Sequence, residues 1–240
     1  MLEFEFDKYL VSGAYHWRQS SKHFFNYTLN VPLVSRYEDL IRLVPINASR
    51  VLDVGTGDGY LIYLLINKLK HSIINGMDSE STGLKLAKEQ LLTKGITDIN
   101  LEEQSVYELE YDSNLFDLVT MADVIEHLED DELAIREISR VLRMNGMLLL
   151  STPNRMSDSK WDKRHVREYD AFELTRLLKG SFSQVEIIAT WPMWLMRTYK
   201  RGGRIRRLFQ IMCTLGFNPF SYRTTTPTEK YGQLIARCIK

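Results

Sequence analysis

The chain has 240 residues, which is enough for one complete α/β core with a small appended segment. Lys plus Arg and Asp plus Glu both total 31, so the overall charge does not indicate nucleic-acid binding. The two cysteines are too few for a disulfide framework, and no apolar run approaches the roughly 20 residues of a membrane-spanning helix. The N-terminus is acidic, unlike that of a signal peptide. Together these features predict a cytoplasmic protein.

The N-terminal part is rich in aromatic residues without clean periodicity, and a helix is predicted to follow it. Leu33, Tyr37, Leu40 and Val44 recur at helical spacing after Pro32, and Pro45 ends the pattern. We expect residues 1–45 to form an N-terminal cap.

Strands and helices alternate in the central part of the chain. Strands are predicted over residues 50–54, 72–77, 99–103, 116–121 and 146–151. Helices are predicted over 60–69, 80–93 and about 130–142, with Asp130 or Asp131 as the N-cap of the last. This alternation predicts a parallel sheet with helices on both faces.

The pattern changes after Pro153. A helix is predicted over 170–178 and strands over 183–189 and 232–239. Two strands joined by a long excursion at the end of a parallel sheet suggest an antiparallel edge. We therefore expect a core over 46–190, an insert over 191–228 and a terminal edge strand over 229–240.

The turn after the first strand, residues 53–59, concentrates three glycines where the backbone of an open α/β sheet comes closest to a ligand. Tyr60 occupies the position of the third glycine in the dinucleotide fingerprint G-x-G-x-x-G. The acid Asp53 would repel a pyrophosphate and suits a ligand with an ammonium group. Asp78, at the end of the second strand, is placed to accept both hydroxyls of a ribose; its alternative role is to cap the next helix.

Four segments in this order resemble successive motifs of class I S-adenosylmethionine-dependent methyltransferases: 53–60, Asp78, 116–128 and 140–154. Over about residues 45–190 they look most like ubiquinone-biosynthesis O-methyltransferases and bacterial glycan or lipid methyltransferases. The resemblance implies a Rossmann-like, mostly parallel seven-stranded sheet with an antiparallel edge strand, and S-adenosylmethionine as cofactor. Cofactor-binding roles are implied for Asp53, Gly55, Thr56, Gly57, Asp78, Ser105, Val106 and Ala122. The adenine loop departs from the subgroup, because Gln104 and Ser105 stand where Gly-Asp is common.

Two histidines are candidates for the base that a hydroxyl acceptor needs, since the pKa of histidine lies near neutrality. His127 directly follows the fourth strand, and its alternative role is structural. His165 lies in the segment 161–169, where the subgroup has a substrate-facing loop. Asp123, Glu126 and His127 can also be read as metal ligands, but without a partner cluster no metal site is expected.

Other side chains are candidates for contact with the methyl acceptor. Glu168 can orient His165 or lie near a helix start, and Tyr169 follows it. Tyr15 and Trp17 of the N-terminal cap can cover a sulfonium by cation–π contact, or fill the core beneath the cap.

The insert contains no acidic residue between Ile187 and Thr228 but seven basic ones, among them Arg204, Arg206 and Arg207. Leu208, Ile211, Met212 and Leu215 lie at helical spacing beside them. A basic amphipathic helix with aromatic neighbours is typical of a membrane-surface segment over 191–220 or of a pocket for an anionic ligand, and the alternative is a lid with a solvated basic face.

The favoured function is therefore O-methylation of a small-molecule, glycan or lipid-linked acceptor by a monomer or dimer, with Arg204 as a further substrate contact. The alternatives are an N- or protein-methyltransferase and a non-catalytic binding subunit. A nucleic-acid substrate is disfavoured, because the basic residues are confined to one insert.

Overall fold

A computed structural model describes residues 8–156 and 162–240; residues 1–7 of the expected cap and the start of the segment 161–169 lie outside the described residues. Three helices come first: α1 (Lys8–Ser12), α2 (Tyr15–Ser20) and α3 (Val31–Leu43). The Asn30 side chain caps α3 by accepting from the amide of Leu33 at 3.3 Å, and the helix stops just before Pro45 as predicted.

Seven strands form one sheet in the order β3-β2-β1-β4-β5-β7-β6. Their bounds are β1 (Arg50–Val54), β2 (Ile73–Asp78), β3 (Asn100–Glu103), β4 (Phe116–Ala122), β5 (Leu142–Pro153), β6 (Gln184–Pro192) and β7 (Tyr231–Ile239). The pairs among β1 to β5 are parallel, whereas β7 runs antiparallel to both β5 and β6. The predicted fold class is confirmed.

The placement of the last strand corrects one expectation. Residues 229–240 were expected to form the edge strand, but β7 lies between β5 and β6, and β6 is the edge. The physical reason is that β7 is the more completely buried strand. Leu234 and Ala236 pack into the core on one side and Ile235 packs on the other, all 0% exposed, whereas Ile187 and Ile188 of β6 are 8% and 7% exposed. A strand buried on both faces belongs inside a sheet.

Helices cover both faces of the sheet. On one side pack α6 (Asp131–Val141) and α7 (Ala171–Lys179), and on the other pack α3, α4 (Tyr60–Lys68) and the end of α5 (Ser81–Thr93). Asp130 caps α6, accepting from the amide of Leu133 at 2.8 Å, and Asp170 caps α7. Between β4 and α6, residues Ile125–His127 form a short 3-10 helix where no helix was predicted.

The insert forms two α-helices, α8 (Met193–Lys200) and α9 (Gly203–Thr214), which pack on α3 in a third hydrophobic cluster. The inward face of α9 consists of Phe209, Gln210 and Cys213, while Leu208 and Leu215 are 56% and 70% exposed. The expected apolar stripe therefore includes residues that face outward. In the described part of the chain no helix is both long and apolar enough to span a membrane.

Asp53 lies near the end of β1, and its buried side chain stabilises the start of the turn that follows. Its carboxylate is 1% exposed and accepts from the Thr120 hydroxyl at 2.6 Å and the Thr56 hydroxyl at 3.1 Å. Burial raises the pKa of Asp53 to about 7, against the opposing effect of these two hydrogen bonds.

Replacing Asp53 with Asn should change how stability depends on pH. Between about pH 4 and pH 7 the folded protein keeps a proton on Asp53 that the unfolded chain loses, so its free energy of unfolding falls as pH rises, by at most about 1.4 kcal/mol per unit. The Asn variant should lack this component. Urea unfolding at intervals from pH 5 to pH 8 measures it, and equal slopes for both proteins would contradict the assignment.

Candidate active site

The glycine turn joins the carboxyl ends of β1 and β2. The amides of Gly55 and Thr56 both donate to the carbonyl of Met77, at 2.9 and 3.0 Å. Gly55, Gly57 and Gly59 all have positive φ, and a Cβ at Gly55 would overlap the Val124 side chain. The turn thus depends on glycine both for its backbone shape and for close approach of its neighbours.

Asp78 lies directly beside this turn. Its carboxylate accepts from the amide of Gly57 at 2.7 Å and from that of Glu80 at 2.9 Å. The Asp78 carbonyl accepts from the amide of Gln104 at 3.1 Å, so the predicted adenine loop is adjacent. In that loop Ser105 is exposed and Val106 is a core residue, 8% exposed.

The first two helices cover the turn through a residue that the sequence reasoning missed. Asp58 is fully buried and accepts from the amide and from Nδ1 of His16, both at 3.0 Å. Tyr9 of α1 lies over Gly57, where a Cβ would overlap its hydroxyl. An acid between two glycines of a ligand-binding turn was the available signal for Asp58.

The cap aromatics differ in what they contact. Trp17 donates to the Asp58 carbonyl at 2.7 Å and packs its ring on Tyr60 and Tyr63, so it fills the core beneath the cap. Tyr15 instead packs against the His16 ring, with ring centroids 3.9 Å apart. The other role considered for Trp17, covering a sulfonium by cation–π contact, stays a prediction.

The exit from β4 is organised around Asp123, which follows the predicted cofactor contact Ala122. The Asp123 carboxylate accepts from the Ser151 hydroxyl and the Gln233 amide, both at 2.7 Å, and pairs with buried Arg36. Burial alone would raise the pKa of Asp123, but Arg36 and these hydrogen bonds lower it below its usual value. Arg36 was also missed, although a charge within the apolar pattern of the predicted helix was a signal.

Both candidate histidines meet beyond this exit. His127 and His165 have ring centroids 5.0 Å apart at 74°, although 38 positions separate them in sequence. Nδ1 of His127 lies 2.9 Å from the Arg164 carbonyl, and Nδ1 of His165 lies 2.8 Å from the Glu168 carboxylate. Burial lowers the pKa of His127. Of the two roles weighed for Glu168, the structure supports orientation of His165.

Glu126 completes this group, and we call Glu126, His127 and His165 the Glu-His-His cluster. Their potential ligand atoms all lie within 4.8 Å of one another. Glu126 is 1% exposed, and burial followed by the neighbouring Asp123 raises its pKa well above the usual value. The sequence reasoning had found no partner for Glu126 and His127 because His165 comes from a distant segment.

The two remaining predicted acceptor contacts lie apart from the cluster or inside the core. Tyr169 is 4% exposed and donates to the Asp131 carboxylate at 2.6 Å. Contact of Tyr169 with the acceptor stays a prediction. Arg204 is exposed and lines a cavity of about 770 Å³ between α9 and the segment preceding α3.

Curated proteins similar to this chain in sequence include methyltransferases. Over 114 residues it is 34% identical to a ubiquinone biosynthesis O-methyltransferase of Paracidovorax citrulli, covering 47% of each chain. Over 143 residues it is 34% identical to a probable S-adenosylmethionine-dependent methyltransferase of Mycobacterium tuberculosis, covering 57% of this chain and 50% of that protein. The chain thus spans about half the length of these relatives.

A solved structure and a family model extend the comparison. The YcgJ protein of Bacillus subtilis superposes with a TM-score of 0.59 at 20% identity, over 85% of this chain and 97% of that one, which shows a shared fold. A family model described as a methyltransferase domain matches residues 47–201, more than half of the chain. The family inferred from the motifs is confirmed, and the chain belongs to the methyltransferase domain family.

Proposed function

We propose that this protein is an S-adenosylmethionine-dependent methyltransferase that methylates a hydroxyl group of a small-molecule acceptor. One observation carries the proposal: the glycine turn adjoins the Glu-His-His cluster. Gly55 lies against Val124, and the Val124 carbonyl accepts from the amide of His127 at 2.9 Å. The glycine turn, which fits the cofactor, and the Glu-His-His cluster, which fits the acceptor, thus lie side by side at the carboxyl ends of β1 and β4. Open α/β sheets bind ligands at this end.

The residues of the turn fit the cofactor. The backbone at Gly55 and Gly57 would hold its methionine part, Asp78 its ribose, and the loop at Ser105 and Val106 its adenine. Both Asp78 oxygens already accept from backbone amides, but each carboxylate oxygen has a second lone pair for a ribose hydroxyl. When bound, S-adenosylmethionine supplies an electrophilic methyl group on a sulfonium. Since Tyr9 lies over Gly57, we expect α1 to move when the cofactor enters.

The role of Asp53 is indirect in this proposal. Its carboxylate accepts hydrogen bonds from the hydroxyls of Thr120 and Thr56, so it stabilises the glycine turn that would contact the cofactor. Thr56 contributes through its backbone amide and through its hydroxyl bond to Asp53.

His127 and His165 are the groups that activate the acceptor hydroxyl. An alcohol oxygen loses its proton when it gains a methyl carbon, so a nearby group must take or weaken that proton. His127 is held by a backbone carbonyl and His165 by Glu168, which fixes both rings at the exit of β4. O-methylation therefore accounts for two positioned imidazoles better than a binding subunit without chemistry does.

The basic cavity suits an anionic part of the acceptor. Arg204, Arg206 and Arg207 line it together with Gln19 of α2. Gln19 lies three residues after His16, less than one helical turn away, so one helix connects the cavity to the covered turn. We infer that the acceptor carries a phosphate, either free in solution or as the headgroup of a lipid.

A lipid-linked acceptor is favoured by the outer surface of the insert. Trp194, Leu208, Leu215 and Phe217 are each more than half exposed, on the same segment as the arginines. Apolar side chains beside basic ones are typical of helices that lie in a membrane interface. We infer peripheral contact of residues 191–220 with anionic lipid.

Replacing Asp78 with Ala should weaken cofactor binding by about tenfold to a hundredfold, because charged hydrogen bonds contribute about 1.5–3 kcal/mol. Isothermal titration with S-adenosylhomocysteine measures the affinity. The matched control is Asp98→Ala, an exposed acid in the loop before β3, which should bind as the wild type does. Equal affinity of the Asp78 variant would contradict the assignment, and no binding by the wild type would contradict the proposed function.

Replacing His165 with Ala should lower kcat by about a hundredfold or more while leaving S-adenosylhomocysteine affinity unchanged, since the imidazole acts on the acceptor side. Glu168→Gln should cause a smaller loss, because the ring remains but its orienting carboxylate is gone. His71→Ala, at an exposed histidine, serves as the control. The rate is measured with an acceptor found by screening hydroxylated, phosphorylated compounds, and an unaltered kcat in the His165 variant would remove this residue from the mechanism.

Reversing the charge of Arg204, Arg206 and Arg207 to Glu should lower the affinity for vesicles of anionic phospholipid by at least about tenfold, since each basic residue near such a surface contributes about 1 kcal/mol. Flotation with phosphatidylglycerol vesicles measures it, and inorganic phosphate added in excess tests the free-phosphate alternative by competition. Arg204→Glu alone guards against misfolding, because Arg204 is exposed. The matched control replaces three exposed lysines outside the insert with Glu: Lys70, Lys88 and Lys179. Recovery of wild type and variant alike in the soluble fraction would rule out the membrane contact.

A further inference from the structure

Two imidazoles and one carboxylate converge in the Glu-His-His cluster, and the hydrogen bonds around it determine which ring nitrogens carry hydrogen. The Arg164 carbonyl can only accept, so Nδ1 of His127 carries the hydrogen of their 2.9 Å bond. In the neutral ring the lone pair then lies on Nε2.

His165 has the same arrangement with a different partner. Its Nδ1 lies 2.8 Å from the carboxylate of Glu168, which is itself buried. Metal-bound histidines typically donate their second ring N–H to a carboxylate or a backbone carbonyl, which fixes the ring and makes the ligating nitrogen more basic. Both types of support are present here, one for each histidine.

Glu126 supplies the carboxylate of the cluster, and few groups compensate its charge. It is 1% exposed and accepts from the Thr152 hydroxyl at 3.0 Å. Within residues 8–156 and 162–240, no ion pair joins it to a Lys or Arg side chain. A buried carboxylate is costly unless it is paired or bound to a metal, and the nearby Asp123 adds to the negative charge.

The spacing fits a single ion. The potential ligand atoms of the three residues lie within 4.8 Å of one another. Metal–ligand bonds of about 2.0–2.2 Å bring ligand atoms of one ion to within roughly 4 Å of each other. Small side-chain rotations therefore suffice to close the site.

We propose that Glu126, His127 and His165 bind one divalent ion of the Mn²⁺, Fe²⁺, Co²⁺ or Zn²⁺ class. Imidazole ligands disfavour Mg²⁺ and Ca²⁺, and three protein ligands leave coordination positions open. With the ion bound, both imidazoles would act on the acceptor through the metal and would not take its proton themselves. A hydroxyl oxygen bound at an open position would lose its proton to water more readily, because a metal lowers the pKa of bound oxygen. This last step rests on the proposed function, whereas the metal site itself does not.

The test uses Co²⁺ and Zn²⁺ with the full chain after treatment with a chelator. Isothermal titration should show one ion per chain, and Co²⁺ should give a visible absorption band. His165→Ala and Glu126→Gln should abolish stoichiometric binding. Glu168→Gln keeps all three ligands and should weaken binding by about tenfold to a hundredfold. His71→Ala, at an exposed histidine, is the matched control and should bind like the wild type.

Two results would overturn the inference: no stoichiometric binding by the wild type, or binding that His165→Ala and Glu126→Gln leave unchanged. Circular dichroism on each variant separates loss of a ligand from loss of the fold, and Glu168→Gln keeps the test valid if a ligand variant unfolds. S-adenosylhomocysteine affinity is measured on the same samples. Cofactor binding without metal binding would refute the metal site and leave the proposed function standing. Metal binding without cofactor binding would refute the proposed function and leave the metal site standing.

Discussion

The largely buried carboxylate of Asp123, whose side chain is 18% exposed, is the constraint on which the carboxyl end of the sheet depends. A charge at this depth must be paired and hydrogen-bonded. Arg36 of α3, Ser151 of β5 and Gln233 of β7 meet this need from three separate elements. Asp123 also has a positive φ, so the chain leaves β4 in a direction that few non-glycine residues adopt. The 3-10 helix with Glu126 and His127 begins only two residues later.

The same interaction makes the N-terminal helices part of the site. Arg36 ties α3 to the exit of β4, and Asp58 of the glycine turn ties α2 through His16. The turn and the exit of β4 touch through Gly55 and Val124. Asp123 and the fully buried Asp58, on neighbouring loops, thus hold the helices that cover both loops.

Patterns among residues close in sequence predicted most of the fold and the glycine turn of the site, but not the Glu-His-His cluster. Hydrophobic periodicity located the strands and helices, and glycine spacing with Asp78 located the turn, because these signals depend on residues close in sequence. The position of β7 within the sheet depends on what packs on each face, which periodicity does not report. Similarly, His165 joins Glu126 and His127 only through the folded chain. The packing of half-buried Trp17 and the burial of Tyr169 depend on partners 41 and 38 positions away.

The structure also changes the reason why the turn is unsuited to a dinucleotide. Asp53 was expected to repel a pyrophosphate, but it lies beneath the turn, and burial raises its pKa to about 7, so its charge is partly removed at neutral pH. Discrimination therefore rests more on Tyr60, which occupies the place of the third glycine. That glycine lets a helix pack closely on its strand in dinucleotide-binding folds. Here the Tyr60 ring packs on Trp17 and Tyr37 instead, so the position serves to hold the covering helices in place.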